Sequence, residues 1–181
     1  MSKFIIGVTG KSGSGKTTVC ENIAKTIGAY HIDVDTVCHD VIQDQRRKLE
    51  KELIETYKYP INHELFFYTE KAFRRELGEL IFSESEKYKD IVSFVWSNAK
   101  KSIDCMIEHN DLILLDHILL PVTHYWSMCD KKVLVTCNTN KRYNRILNRD
   151  RIDLDYLYKR EKASIEYVSY KFDSLYDTTN L

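Results

Sequence analysis

The sequence predicts an α/β fold in which helices cover the faces of a parallel sheet. Two observations carry this. The first 35 residues read as strand, Gly-rich turn, helix, strand, and a parallel pair of strands needs such a helical crossover. Further on, β patterns at 112–116 and 132–136 alternate with helical periodicity. That order belongs to βαβ units, not to a bundle or a sandwich.

Lys3 to Thr9 is a short apolar run rich in β-branched residues, the mark of a fully buried strand. A Gly/Ser turn occupies 10–15. Lys16 to Ile27 places Val19, Ile23 and Ile27 at four-residue steps, one buried helical stripe. Ala29 to Val34 reads as the second strand. Val37 to Tyr57 reads as one charged helix, ended by Pro60. Glu70 to Phe82 gathers Ala72, Phe73, Leu77, Leu80 and Ile81 on one face. The clearest helix is Tyr88 to Ile107, whose apolar residues keep the i, i+3, i+4, i+7 pattern. Strands follow at Leu112–Asp116 and Lys132–Thr136. Asn138 or Thr139 caps a helix running to Arg149, and a last helix spans about Asp153 to Tyr170. A short strand after Phe172 closes the chain.

At 181 residues the length suits one domain. Equal numbers of basic and acidic residues, 27 each, disfavour a general nucleic-acid binder. The charge is nevertheless uneven. Residues 1–30 carry +3 and 141–162 carry +4, against −4 over 31–90. Two cationic blocks suit a small polyanion held between them. The first apolar run is too short for a signal-peptide core or a membrane span, so a cytoplasmic protein is expected. Five cysteines form no C-x-x-C pair. Neither a disulfide framework nor a zinc site is expected from that spacing, and reduced thiols are. His31, His63, His109, His117 and His124 show no ligand spacing either.

Gly10-Lys11-Ser12-Gly13-Ser14-Gly15-Lys16-Thr17 fits G-x-x-x-x-G-K-[ST] without a mismatch, between a predicted strand and a predicted helix. Glycines let the backbone curl so that successive N–H groups point into one hollow, which the helix N-terminus extends. Lys16 is expected on the β- and γ-phosphates and Thr17 on Mg²⁺. Asp33 and Asp35 end the second strand, where alternation turns both to one side. Either can accept a proton from a hydroxyl or hold a Mg²⁺-bound water. Asp35 alternatively caps the next helix. Asp116, closing its strand, is a candidate metal ligand or a loop cap. Arg142, Arg145 and Arg149 share a helical face within the basic stretch, as in a lid that closes over a triphosphate.

These segments resemble the dephospho-coenzyme A kinases, P-loop kinases that phosphorylate the ribose 3′-hydroxyl of dephospho-CoA with Mg-ATP. The resemblance is carried by Ile6-Gly7-Val8-Thr9-Gly10 with Ser12 to Thr17, and by Ile32-Asp33-Val34-Asp35 followed by His39. Phe73-Arg74-Arg75-Glu76-Leu77-Gly78 and Arg145-Ile146-Leu147-Asn148-Arg149-Asp150 carry it further. It implies a three-layer P-loop kinase fold with a five-stranded parallel sheet, in one domain over 1–181. A helical substrate-side subdomain near 60–110 and a lid at 141–162 come with it. It implies ATP and Mg²⁺ as cofactors and dephospho-CoA or a related small molecule as substrate, with no nucleic acid or membrane partner. Lys16, Asp35 and Arg149 are the implied catalytic residues, Asp35 as general base. Lys11, Ser12, Gly13, Ser14, Gly15, Lys16, Thr17, Thr18, Arg145 and Arg149 are the implied ATP contacts. Thr9, Asp35, His39 and Arg74 line the implied acceptor site, and Thr17 and Asp116 hold the metal.

The acceptor side departs from the family pattern. Trp96-Ser97 stands where His-Pro is usual, and Asp116-His117-Ile118-Leu119-Leu120-Pro121-Val122 lacks the usual proline and glutamate positions. The loop carries Lys11-Ser12 in place of Gly-Ile, and the family's lid-helix Gln falls near Ser164. Phosphoryl transfer to another small alcohol or nucleoside, and a non-catalytic nucleotide- or CoA-binding protein, are the alternatives.

Overall fold

The computed structural model describes residues 3–58, 69–83, 86–162 and 164–180. Pro60 and His63 lie outside them. The chain divides into two compact units, 1–35 with 104–181, and 36–103.

The first unit holds a five-stranded, all-parallel sheet in the order β2-β3-β1-β4-β5. Its strands are β1 (Phe4–Thr9), β2 (Tyr30–Asp33), β3 (Leu112–Asp116), β4 (Lys131–Thr136) and β5 (Ser174–Asp177). Register aligns Val8, Asp116 and Asp33 across three strands, so both carboxylates end at the C-terminal edge. The helix α1 (Lys16–Ile27) packs Val19 and Cys20 onto Val8, Leu114 and Val135. Each such aliphatic side chain contributes about 1.5–3 kcal/mol on burial. Gly7 stands where β1 needs room: a Cβ there would meet Cys129 Sγ at 2.5 Å.

A 3₁₀ turn (Leu120–Val122) and a short helix α6 (Tyr125–Met128) lie between β3 and β4, each too short to show a periodic pattern in the sequence. After β4 come α7 (Thr139–Asp150) and α8 (Leu154–Lys162). Asn138 caps α7, its side chain accepting from the N–H groups of Asn140 and Lys141. The predicted last helix stops eight residues early, at Lys162. Tyr167 is buried instead, and its ring joins Phe172, Trp126 and Tyr170 in an edge-to-face cluster. Burying Tyr167 and half-burying the other three rings there outweighs a few more helical hydrogen bonds. The chain then turns into β5, the short strand expected after Phe172.

The second unit is helical. It contains most of α2 (Val34–Asp44), then α3 (Arg46–Glu55), α4 (Glu70–Ser83) and all but the end of α5 (Lys89–Glu108). The single helix predicted over 37–57 is two helices. Gln45 sits between them at φ −98°, ψ 10°, turning the axis, while Gln45 N and Leu49 N keep their i−4 bonds. Leu49, Leu53, Phe73, Leu77, Tyr88, Ile91, Val95, Ala99 and Ile103 are buried. They recur at the three- and four-residue steps seen in the sequence. No helix among the described residues is long and apolar enough to cross a membrane.

Candidate active site

β1 is the central strand, so the loop after Thr9 leaves the middle of the sheet at its C-terminal edge. Gly13 and Gly15 hold φ values of 75° and 84°, the left-handed region that glycine enters without penalty. At Gly13 space forbids a side chain as well, since a Cβ would stand 2.7 Å from the Arg142 carbonyl oxygen. Lys11 to Thr18 are thereby gathered into one loop and the first turn of α1. The N–H groups of that turn have no intrahelical partner, and a positive-φ loop leading into them forms an anion site.

The Lys16 side chain is buried, with Nζ 3.9 Å from Asp116 Oδ1. Thr17 Oγ1 donates to Asp116 Oδ2 at 3.2 Å. Asp116 is only 2% exposed, and its Oδ1 accepts no hydrogen bond among the described residues. A buried carboxylate oxygen without a donor is costly unless a cation answers it. The Thr17 hydroxyl and Asp116 carboxylate are hard oxygen donors of the kind Mg²⁺ selects, so these residues fit that ion.

Asp33 and Asp35 do not share a strand. β2 ends at Asp33, and α2 begins at Val34. The helical stripe of Val34, Val37 and Val41, all buried, starts before Asp35, which therefore lies exposed in the first helical turn. Strand alternation does not relate the two carboxylates. Asp33 remains beside Asp116 in register. Asp35 Oδ1 is 3.5 Å from His117 Nε2. Burial holds the His117 ring below its usual pKa of 6.5, against the pull of Asp35, so the imidazole is neutral near pH 7. Sequence reasoning missed His117 because its partner lies 82 positions upstream; its place directly after Asp116 is the one available cue.

Thr9 is fully buried. Its hydroxyl donates to the Ile118 carbonyl at 3.1 Å and lies 3.4 Å from the Tyr167 hydroxyl, which itself donates to Ile118 at 2.7 Å. Thr9 thus braces the edge of the site from within. Burial pushes the Tyr167 phenol up to about 12. Tyr167 also went unremarked in the sequence, where it reads as one more helical aromatic.

Of the arginines expected in the lid, Arg142 and Arg145 hold the phosphate loop from behind. Arg142 donates to the Ser12 carbonyl at 2.7 Å and to Glu161 at 2.6 Å. Arg145 donates to the Gly13 carbonyl at 3.3 Å and to both Thr178 oxygens at 3.2 Å. Arg149 is exposed and paired with Asp150 at 2.7 Å. Its pKa is raised chiefly by that bond, with Asp35 adding a smaller pull. Lys11 pairs with Glu161 at 3.2 Å and Glu166 at 2.7 Å. His39 and Arg74 belong to the second unit, on α2 and α4; His39 is exposed and Arg74 half-buried.

A loop of this kind on the central strand of an all-parallel sheet is the working part of P-loop phosphotransferases, and it sets the class. The whole chain then sets the family. Residues 4–168 match the family model described as dephospho-CoA kinase, and the chain belongs to that family. A dephospho-CoA kinase of Fusobacterium nucleatum is 26% identical over 91% of this chain and 83% of its own. One from Streptococcus thermophilus is 29% identical over 84% of this chain and 76% of its own. Among solved structures, TT1252 from Thermus thermophilus superposes with a TM-score of 0.77 at 22% identity, covering 99% of this chain and 91% of that one. The dephospho-CoA kinase from Campylobacter jejuni gives 0.58 at 23%, covering 99% and 90%. At these identities the superpositions speak to the fold.

Proposed function

We propose that this protein transfers the γ-phosphoryl of ATP to the 3′-hydroxyl of dephospho-CoA. The observation that carries the reading is the convergence of Lys16 and Thr17 on buried Asp116, in a chain of this family. Mg²⁺ at Thr17 and Asp116 supplies charge neutralisation on the β- and γ-phosphates. The loop N–H groups fix the phosphates. Lys16 reaches the β- and γ-oxygens and offsets the charge that develops as the phosphoryl moves. Asp35, exposed at the start of α2, takes the proton from the acceptor hydroxyl. Neutral His117 beside it adds no positive charge that would weaken the base. Arg149, free of the loop that Arg142 and Arg145 brace, is the lid-side arginine on the phosphates, and Arg145 orients the loop beneath them. Thr9 shapes the acceptor edge. His39 and Arg74 are the residues assigned to the acceptor on α2 and α4, and 141–162 is assigned to the lid. The protein acts in the cytoplasm.

A coupled assay of ADP release with dephospho-CoA tests this, with a panel of nucleosides and pantetheine alcohols alongside. Turnover confined to dephospho-CoA supports the reading; ATP binding without turnover on it overturns it. Asp35→Asn is expected to lower turnover by roughly 10²–10⁴ while ATP affinity holds.

A further inference from the structure

The fold brings Cys20, His31 and Asp116 together, although they lie on α1, β2 and β3. One potential ligand atom from each falls within 4.8 Å of the others. Two of these side chains present buried polar atoms that make no hydrogen bond among the described residues: Asp116 Oδ1 and His31 Nε2. His31 Nε2 stands 3.8 Å from Asp116 Oδ2. The Cys20 side chain is fully buried, and its sulfur belongs to the same cluster. A thiol, an imidazole and a carboxylate on one focus are a poor match for Mg²⁺, which takes oxygen ligands. They match a borderline-soft dication, for which sulfur and nitrogen raise affinity.

We propose that Cys20, His31 and Asp116 form a binding site for zinc or a similar divalent transition-metal ion, and that its occupation inhibits phosphoryl transfer by withdrawing Asp116 from Thr17. The inhibitory half rests on the role given to Asp116 above. Zinc sits about 2.3 Å from sulfur and about 2.0–2.2 Å from nitrogen and oxygen. Three ligands on one such ion therefore lie roughly 3.3–3.8 Å apart, and the 4.8 Å separation closes with side-chain adjustments of about 1 Å, without backbone movement. The His31 side chain is 15% exposed and gives the ion a way in; a water completes the tetrahedron. As the sulfur–zinc bond forms, the thiol proton leaves to solvent, and no electron changes hands. Once the carboxylate is a zinc ligand it no longer accepts from Thr17, and the Mg²⁺ position loses one of its oxygens.

Cobalt(II) titration of the full chain reads the site without reference to activity. Expected is one ion per chain with a thiolate-to-cobalt charge-transfer band, displaced by zinc. Cys20→Ala is expected to abolish the band. His31→Gln, at a half-buried position that tolerates an amide, weakens binding at least about tenfold, the lower cost of losing even an outer-shell partner. Micromolar zinc is expected to inhibit the Mg-ATP reaction of the unaltered chain and to spare both variants. Absence of the band, or equal zinc sensitivity in all three proteins, overturns the proposal. Failure of dephospho-CoA turnover in Mg²⁺ alone strikes the functional reading and leaves the cobalt spectrum unchanged.

Discussion

The buried Arg142 guanidinium donates to Glu161 at 2.6 Å, joining α7 to α8. Its other arm donates to the Ser12 carbonyl at 2.7 Å. One side chain therefore ties the phosphate loop to the end of α8. Arg142→Met keeps the apolar stem and removes both arms. It strands the Ser12 carbonyl and leaves Glu161 with Lys11 alone. Breaking a buried pair costs about 3–5 kcal/mol, and the partial exposure of Glu161 argues for the lower end. Urea unfolding is expected to show a loss near 3 kcal/mol by that measure, with weaker ATP affinity because the loop is no longer held.

The same pair sets an acid limit. Burial pushes the Glu161 carboxyl up, but Arg142 and Lys11 more than offset it, and the net position is below the ordinary 4.5. Asp150 behaves likewise between Arg149 and Arg160, below 3.8. A carboxyl whose pKa is lower in the folded chain than in the unfolded one stabilises the fold above the unfolded value. That stability is lost as pH falls through the folded value. Unfolding midpoints measured from pH 7 downward are expected to hold until about pH 4.5 and then fall. Glu161→Gln flattens part of the fall and starts from a lower plateau. A profile in that variant identical to the parent's would remove Glu161 from the account.

Much of this was legible in the sequence, and what was not has a physical reason. The phosphate loop, α1 and the long α5 are local patterns: glycines that need positive φ, and stripes at helical spacing. Their bounds fell within a residue or two. The break at Gln45 was invisible because no Pro or Gly marks it and the hydrogen bonds run on across it. The end of α8 was misread because Tyr167 continues a plausible helical stripe, while its ring partner Phe172, itself packed on Trp126, is fixed only by the tertiary fold. Site residues followed the same division. Lys16 and Thr17 belong to a contiguous motif. His117 near Asp35, and Cys20 near His31 and Asp116, meet only when β3 is inserted between β1 and β2. Arg142 read as a lid cation because charge runs reveal a helical face but not which neighbour that face meets.

Lys16 bears on both chemistry and scaffold. Its ammonium lies 3.9 Å from Asp116, too far for a hydrogen bond, yet its loss leaves that buried carboxylate without its cation, so the unfolding midpoint is expected to fall as well. Lys16→Ala is expected to raise the barrier by about 3–4 kcal/mol, the cost of losing one preorganised donor. Turnover then falls by two to three decades, roughly. Single-turnover kinetics check this, with the unfolding midpoint measured alongside. A near-normal rate would refute the role given to Lys16.

Gly13→Ala tests the loop geometry itself. At φ 75° an alanine costs about 1–2 kcal/mol in the left-handed region. Its methyl also arrives 2.7 Å from the Arg142 carbonyl oxygen and 2.9 Å from Ile146 Cγ1. The first of these is α7 backbone and cannot swing aside, so either the loop lifts off Arg142 and Arg145 or α7 shifts. Either movement turns loop N–H groups away from the phosphates. A combined loss of roughly 2–5 kcal/mol in stability is expected, overpacking adding about 1–3 kcal/mol to the backbone strain. ATP affinity measured by calorimetry is expected to fall with it. The converse control is Gly28→Ala, also at positive φ but with open space around its Cβ. It carries the strain alone, so it is expected to lose stability by about 1–2 kcal/mol and keep ATP affinity. Equal loss of affinity in both variants would show that general destabilisation, and not the shape of the phosphate loop, governs nucleotide binding.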